Sequence, residues 1–187
     1  MFKFHLKRSG KDIISHLILI FLPVILITFL SYVFSNGMLS SGVPIDISLI
    51  STPLTIGAAL TFQIYGSALS FETLGQDFFT PIHDRLLASP ANPRKIIVSI
   101  LSTSIIVGFL QTIVILIFSM LILDAKFTNL LLVIIIMLLS AVFSQLLGCI
   151  ILFSVKKVSA ASGITTIYGT IAPMITEVYF PLPDNIV

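Results

Sequence analysis

Five stretches of almost unbroken apolar sequence, each long enough to cross a bilayer, constrain this chain more than any other feature. They run roughly Ile14–Phe34, Ser48–Phe71, Ile96–Leu123, Leu130–Val155 and Ala160–Phe180. A spanning helix needs about 20 mostly apolar residues. The runs are continuous rather than alternating, which specifies helices and not barrel strands. Their connections are short, so neighbours must be antiparallel. Charged residues make up 10% of the chain and apolar ones 57%, where a soluble domain carries about 25% charge. A chain this short has too much surface to hide that apolar content in its own core. Lipid must cover part of it. The expected fold class is all-α, a polytopic transmembrane helix bundle with residues 1–187 as a single domain. The chain closes on FPLPDNIV, a turn-like segment without charge clustering, after an odd number of spans. A sixth, returning helix is therefore expected beyond Val187.

Basic residues near span ends set orientation. Lys3, Lys7, Arg8 and Lys11 precede the first span; Arg85, Arg94 and Lys95 precede the third; Lys156 and Lys157 separate the fourth from the fifth. Of the ten Lys and Arg, only Lys126 falls on the other side. The amino terminus is thus expected in the cytoplasm. The stretch MFKFHLKRSGKDII mixes Phe2, Phe4 and Leu6 with lysines. It reads either as a short interfacial helix on lipid headgroups or as a solvated basic tail. The third span, roughly 28 residues, would rise about 42 Å against a hydrocarbon core of about 30 Å. It must tilt or project.

The same asymmetry places Glu72–Lys95, ETLGQDFFTPIHDRLLASPANPRK, in the cytoplasm. Phe71, Leu74, Phe78, Ile82 and Leu86 recur at near-helical spacing. Pro81 interrupts them, and Ser89-Pro90-Ala91-Asn92-Pro93 reads as a turn. The expectation is a short amphipathic helix lying across the membrane face.

Here the chain resembles a family. Glu72 and Gly75 after the second span, then RLLASPANPRKII, are similar to the permease subunit of ABC type-2 transporters. Arg85-Leu86-Leu87-Ala88-Ser89-Pro90 and Arg94-Lys95 carry the likeness, and Phe180-Pro181-Leu182-Pro183 resembles the outer segment before the family's sixth helix. Where the family often has Ser-Gly ahead of that segment, this chain has Thr176-Glu177. The resemblance implies a permease that pairs as a homodimer or with a second permease and docks on separate ABC-type ATPase subunits. Its loop, residues 72–95, would seat in an ATPase groove. Phe78, Phe79, Leu86 and Leu87 would be the apolar anchors, with Asp84 and Arg85 for register and Pro81 and Pro90 for stiffness; Glu72, Gly75 and Arg94 complete the set. The drug-efflux branch is the nearest likeness, since no large soluble insertion interrupts the spans. A bacterial or archaeal cytoplasmic membrane follows as the location.

Other chemistry has little support. There is no GxxxxGK[ST] phosphate loop, so ATP hydrolysis belongs to a partner. His83-Asp84 is an isolated polar pair. His5 and His16 are expected to lie far from any carboxylate cluster, so no metal is expected, and no cofactor is indicated. Net charge is only +2, too small to suggest a nucleic acid partner. The lone Cys149 has no internal partner. Within the spans Gln63, Gln111, Gln145 and Glu177 stand out. They either line a translocation route or bond helix to helix. No Lys, Arg or Asp lies deep in a span, which disfavours an ion-coupled carrier and favours an amphiphilic cargo such as a drug, peptide, lipid or glycan. The alternative is a non-transporting membrane protein, an immunity or assembly factor that acts by binding.

Overall fold

The computed structural model describes residues 2–10, 12–39, 46–80 and 92–175. They form six helices: α1 Phe2–Ser9, α2 Ile13–Leu39, α3 Ser48–Phe78, α4 Pro93–Ile122, α5 Leu130–Val155 and α6 Val158–Ile175. No strand occurs among the described residues. The five helices α2–α6 are each long and apolar enough to cross a membrane.

Helix α3 is the axle. It packs against α2, α4, α5 and α6. In its most apolar stretch 65% of residues are buried, against 11% in α2 and 22% in each of α4, α5 and α6. That division explains the composition. The outer helices present Phe21, Ile25, Phe29, Leu121, Leu139, Phe143 and Ile150 outward, where only lipid makes such exposure favourable. Helix α3 faces protein instead, and carries small and hydroxylated residues that let neighbours approach.

Three apolar clusters follow its length. At one end Phe71 and Leu74 meet Ile96, Ile100, Leu152 and Ala161. Midway Ala59 meets Leu116 and Met137. At the other end Leu54 and Ala58 meet Ile27 and Ile115. The pairing of early with late residues confirms the antiparallel order. Helix α4 starts at Pro93 in the favoured first position, behind Asn92, whose side chain accepts the Arg94 amide at 3.0 Å. Helix α5 ends at Lys156 with φ 52°, the left-handed cap that turns the chain straight into α6.

The helices differ from expectation at their ends. Helix α3 does not stop at Phe71. It continues unbroken through Glu72 and Gly75 to Phe78, because Leu74 and Phe78 keep the buried phase on the same face and Pro81 comes only later. Helix α4 likewise begins before Ile96. Both flanks of the expected 72–95 loop are therefore ends of span helices. Of the two readings for the amino terminus, the helix is the one observed.

Charge is sorted in space as in sequence. Helix α1, the end of α3, the start of α4 with Arg94 and Lys95, and the Lys156-Lys157 junction share one end of the bundle. At the opposite end Lys126 pairs with Asp46 at 3.3 Å and Asp124 at 3.4 Å.

Candidate functional site

The basic end carries most of the predicted site residues that are described. Gly75 lies where α3 touches the start of α6: a Cβ there would overlap Val158 Cγ2. Phe78 is half-buried and meets Phe153 edge-on at 6.0 Å between ring centroids; Phe79, 36% exposed, meets the same ring at 5.7 Å. Glu72 and Arg94 are exposed. Pro81, Asp84, Arg85, Leu86, Leu87 and Pro90 lie outside the described residues, as does Glu177.

Sequence reasoning missed the contact that organises this end. Asp77 falls on the buried face of α3, and its side chain is 9% exposed. A carboxylate so placed needs a counter-charge and hydrogen bonds. Arg8 supplies both: Nη1 donates to the two carboxylate oxygens at 3.0 and 3.3 Å, and Nη2 donates to Gln76 Oε1 at 2.9 Å. This pins α1 across the foot of α3. His5, buried beside the pair, is held below the usual imidazole pKa chiefly by burial, with Asp77 opposing. A signal for the pair was present, since Asp77 interrupts the apolar phase of Phe71, Leu74 and Phe78.

The three described span glutamines each join helices. Gln63 donates to Thr112 Oγ1 at 2.9 Å and to the Met137 carbonyl at 3.1 Å, linking α3, α4 and α5. Gln145 accepts from Ser70 Oγ at 2.5 Å. Gln111 donates to His16 Nδ1 at 3.0 Å, while His16 Nε2 lies 2.9 Å from the Ser9 carbonyl. The space beside these glutamines is about 10 Å³, about the room of one water.

Another polar surface lies on the outside. Ser159, Gly163, Thr166 and Thr170 recur at steps of four, three and four along α6, and all are exposed. Tyr65 Oη on α3 reaches Thr170 Oγ1 at 3.0 Å. Small and hydroxylated residues hid this face in the sequence, because they lower hydropathy only slightly.

A larger cavity of about 170 Å³ lies where α1, the start of α2, the end of α3 and α4 converge. His5, Arg8, Asp12, His16, Glu72 and Thr103 are among its lining residues. The expectation that His5 and His16 stand apart from carboxylates is thereby corrected: folding α1 back on α3 brings them together with Asp12 and Glu72. No group of three or more His, Cys, Asp or Glu among the described residues is arranged to hold a metal ion.

The family model described as ABC-2 type transporter matches residues 2–185. No curated protein and no solved structure matches the chain.

Proposed function

This chain belongs to the ABC-2 type transporter family, and we propose that it is the permease of an ATP-driven exporter whose ATPase is a separate chain. Membership makes it a membrane permease of an ABC transporter. The finer reading is outward movement of an amphiphilic cargo across a bacterial or archaeal cytoplasmic membrane, in the manner of the drug-efflux branch, by a homodimer or a pair with a second permease. By the positive-inside rule the basic end is cytoplasmic.

The observation that carries the reading is the unbroken run of α3 from the bundle centre to Phe78. A rigid helix transmits displacement along its axis, whereas a flexible link would absorb it. A push delivered beyond Phe79 would reach α3, which touches every other span. Gly75 against Val158 and Phe78 and Phe79 against Phe153 would pass it to α5 and α6. Arg85, Leu86 and the rest of the 72–95 segment are then the contact with the ATPase.

The cargo route runs along the Ser159, Thr166, Thr170 and Tyr65 face rather than through the glutamine seam. The Thr166 and Thr170 hydroxyls donate to the Ser162 and Thr166 carbonyls at 2.9 and 2.8 Å, which leaves their lone pairs to accept from water or a second protein chain. A second permease facing this stripe would enclose a polar path between the two copies.

The test is to ask whether an adjacent reading frame encodes a phosphate-loop ATPase, to purify the permease with it, and to measure ATP-dependent cargo accumulation in inverted vesicles. Association and accumulation are both expected, and both should fall sharply with Arg85→Glu or Leu86→Asp. If both variants keep full association and export, the coupling assignment fails. Association without any cargo movement would instead favour a binding role as an immunity or assembly factor.

A further inference from the structure

Three cavities adjoin one another inside the bundle. The first is the 170 Å³ cavity at the basic end, where Asp12 and Glu72 are exposed. It shares Ser9, His16 and Ser104 with a second cavity of about 10 Å³. The second shares Gly66, Gly108 and Gln111 with a third, also about 10 Å³, whose lining includes Gln63, Thr112 and Gln145. The series leads from the exposed basic end to the middle of α3, α4 and α5. About 14 Å of α3 separates Glu72 from Gln63.

A void of this size has the room of one water, and a water is held only where polar groups meet it. Gln145 supplies the decisive group. The residue is 3% exposed. Its Oε1 accepts from Ser70, while its Nε2 makes no hydrogen bond among the described residues. That nitrogen is not sealed by packing, as Gln63 Oε1 is. It faces the void: a Cβ on Gly108, which lines the same space, would lie 3.9 Å from it. An N–H without an acceptor at this depth is costly. Gln111 adds the complementary group, since its Nε2 is engaged by His16 Nδ1 and its Oε1 is uncommitted among the described residues. A ligand that fits one probe-sized void, accepts from one amide and donates to the next is water.

We infer that a single file of water enters the bundle from the basic end, passes His16 and Gln111, and terminates on Gln145 Nε2. Water there would let α3, α4 and α5 part along the glutamine seam without stranding their amides. Gly66 and Gly108 provide the room. A Cβ on Gly66 would come no nearer than 4.0 Å to Leu19 Cδ1, and one on Gly108 no nearer than 3.9 Å to Gln145 Nε2, both ordinary contacts. Gly66→Ala with Gly108→Ala therefore fills the file without forcing helices apart. The inference does not rest on the transport reading, and its test uses neither ATPase nor cargo.

The intact chain, carrying isotope-labelled glutamine, is placed in nanodiscs, and magnetisation transfer from water to side-chain amides is read by NMR. Loss of one signal in Gln145→Leu assigns that residue. Wild type should show a water cross-peak at the Gln145 amide and exchange of that amide in deuterated water. The double alanine variant should remove the cross-peak and slow exchange by about tenfold or more, because exchange then waits on local opening. Its thermal transition should hold or rise; a fall would make the glycines packing residues and contradict their role as space. Ser104→Leu, at the junction of the first two cavities, should slow exchange while leaving the cross-peak. Absence of the cross-peak in wild type, or exchange unaffected by the double alanine variant, overturns the proposal. A cross-peak whose exchange Ser104→Leu does not slow denotes an isolated trapped water and overturns the file.

Discussion

Arg8 and Asp77 are 69 residues apart in sequence, and the guanidinium holds both carboxylate oxygens, which fixes an amphipathic surface helix onto the central span. The two partners are unequally placed: the Arg8 side chain is 35% exposed and that of Asp77 9%. Removing the cation therefore strands a buried anion, which is worse than removing both. Arg8→Ala should cost about 2 kcal/mol, the low end for a broken buried pair because Arg8 retains some solvent. Adding Asp77→Asn should recover part of that loss. Unfolding in mild detergent across the double-mutant cycle checks it, and strictly additive effects would contradict the pair.

Gly75 permits a close approach between α3 and α6. Because a methyl group at this position would overlap Val158 Cγ2, Gly75→Ala forces the helices apart. The expected cost is about 1–3 kcal/mol, as for overpacking elsewhere. Gly75→Ala combined with Val158→Ala removes the obstructing methyl groups and should return most of the stability. Thermal transitions of the three variants decide between this clash and a role for Gly75 in partner contact, which Val158→Ala would not rescue.

The bundle was legible in the sequence because apolar length and the placement of Lys and Arg are properties of single segments. Five spans and the charge asymmetry needed nothing else. What escaped were relationships between distant segments. Asp77 looked like one more charge in a polar loop until Arg8 came back to it, and His5 and His16 looked isolated for the same reason. Span ends were misjudged where a polar residue such as Glu72 projects from a helix whose opposite face, Leu74 and Phe78, is still buried. The α6 stripe was hidden because Ser, Gly and Thr are neutral in hydropathy yet informative once their common face is known.

Acid should loosen α1. Burial is the main influence holding His5 below its usual pKa of 6.5; Asp77 raises it, while Arg8 and the amino terminus lower it further. A histidine depressed on folding favours the docked state in full above about pH 6.5, and that contribution is lost as pH falls through its lower folded value. A spin label on α1 should therefore gain mobility as pH falls below about 6.5. His5→Gln should flatten that response. Mobility that instead rises with increasing pH would contradict the assignment.

The glutamine seam and the α6 stripe make opposite predictions about transport. Gln145→Leu removes the acceptor of the Ser70 hydroxyl, but Ser70 keeps its bond to the Ser67 carbonyl at 2.8 Å. The loss should be about 0.6 kcal/mol, typical of an interhelical bond in a membrane, with cargo movement otherwise unchanged. Thr170→Val leaves the exposed surface similar in shape while removing the partner of Tyr65 Oη. Stability should barely move, yet cargo accumulation in vesicles should change several-fold if that face lines the route. Measuring unfolding and accumulation on both variants separates the two. If Gln145→Leu abolishes accumulation at full stability while Thr170→Val does nothing, the route passes through the seam, which must then open in another state of the cycle.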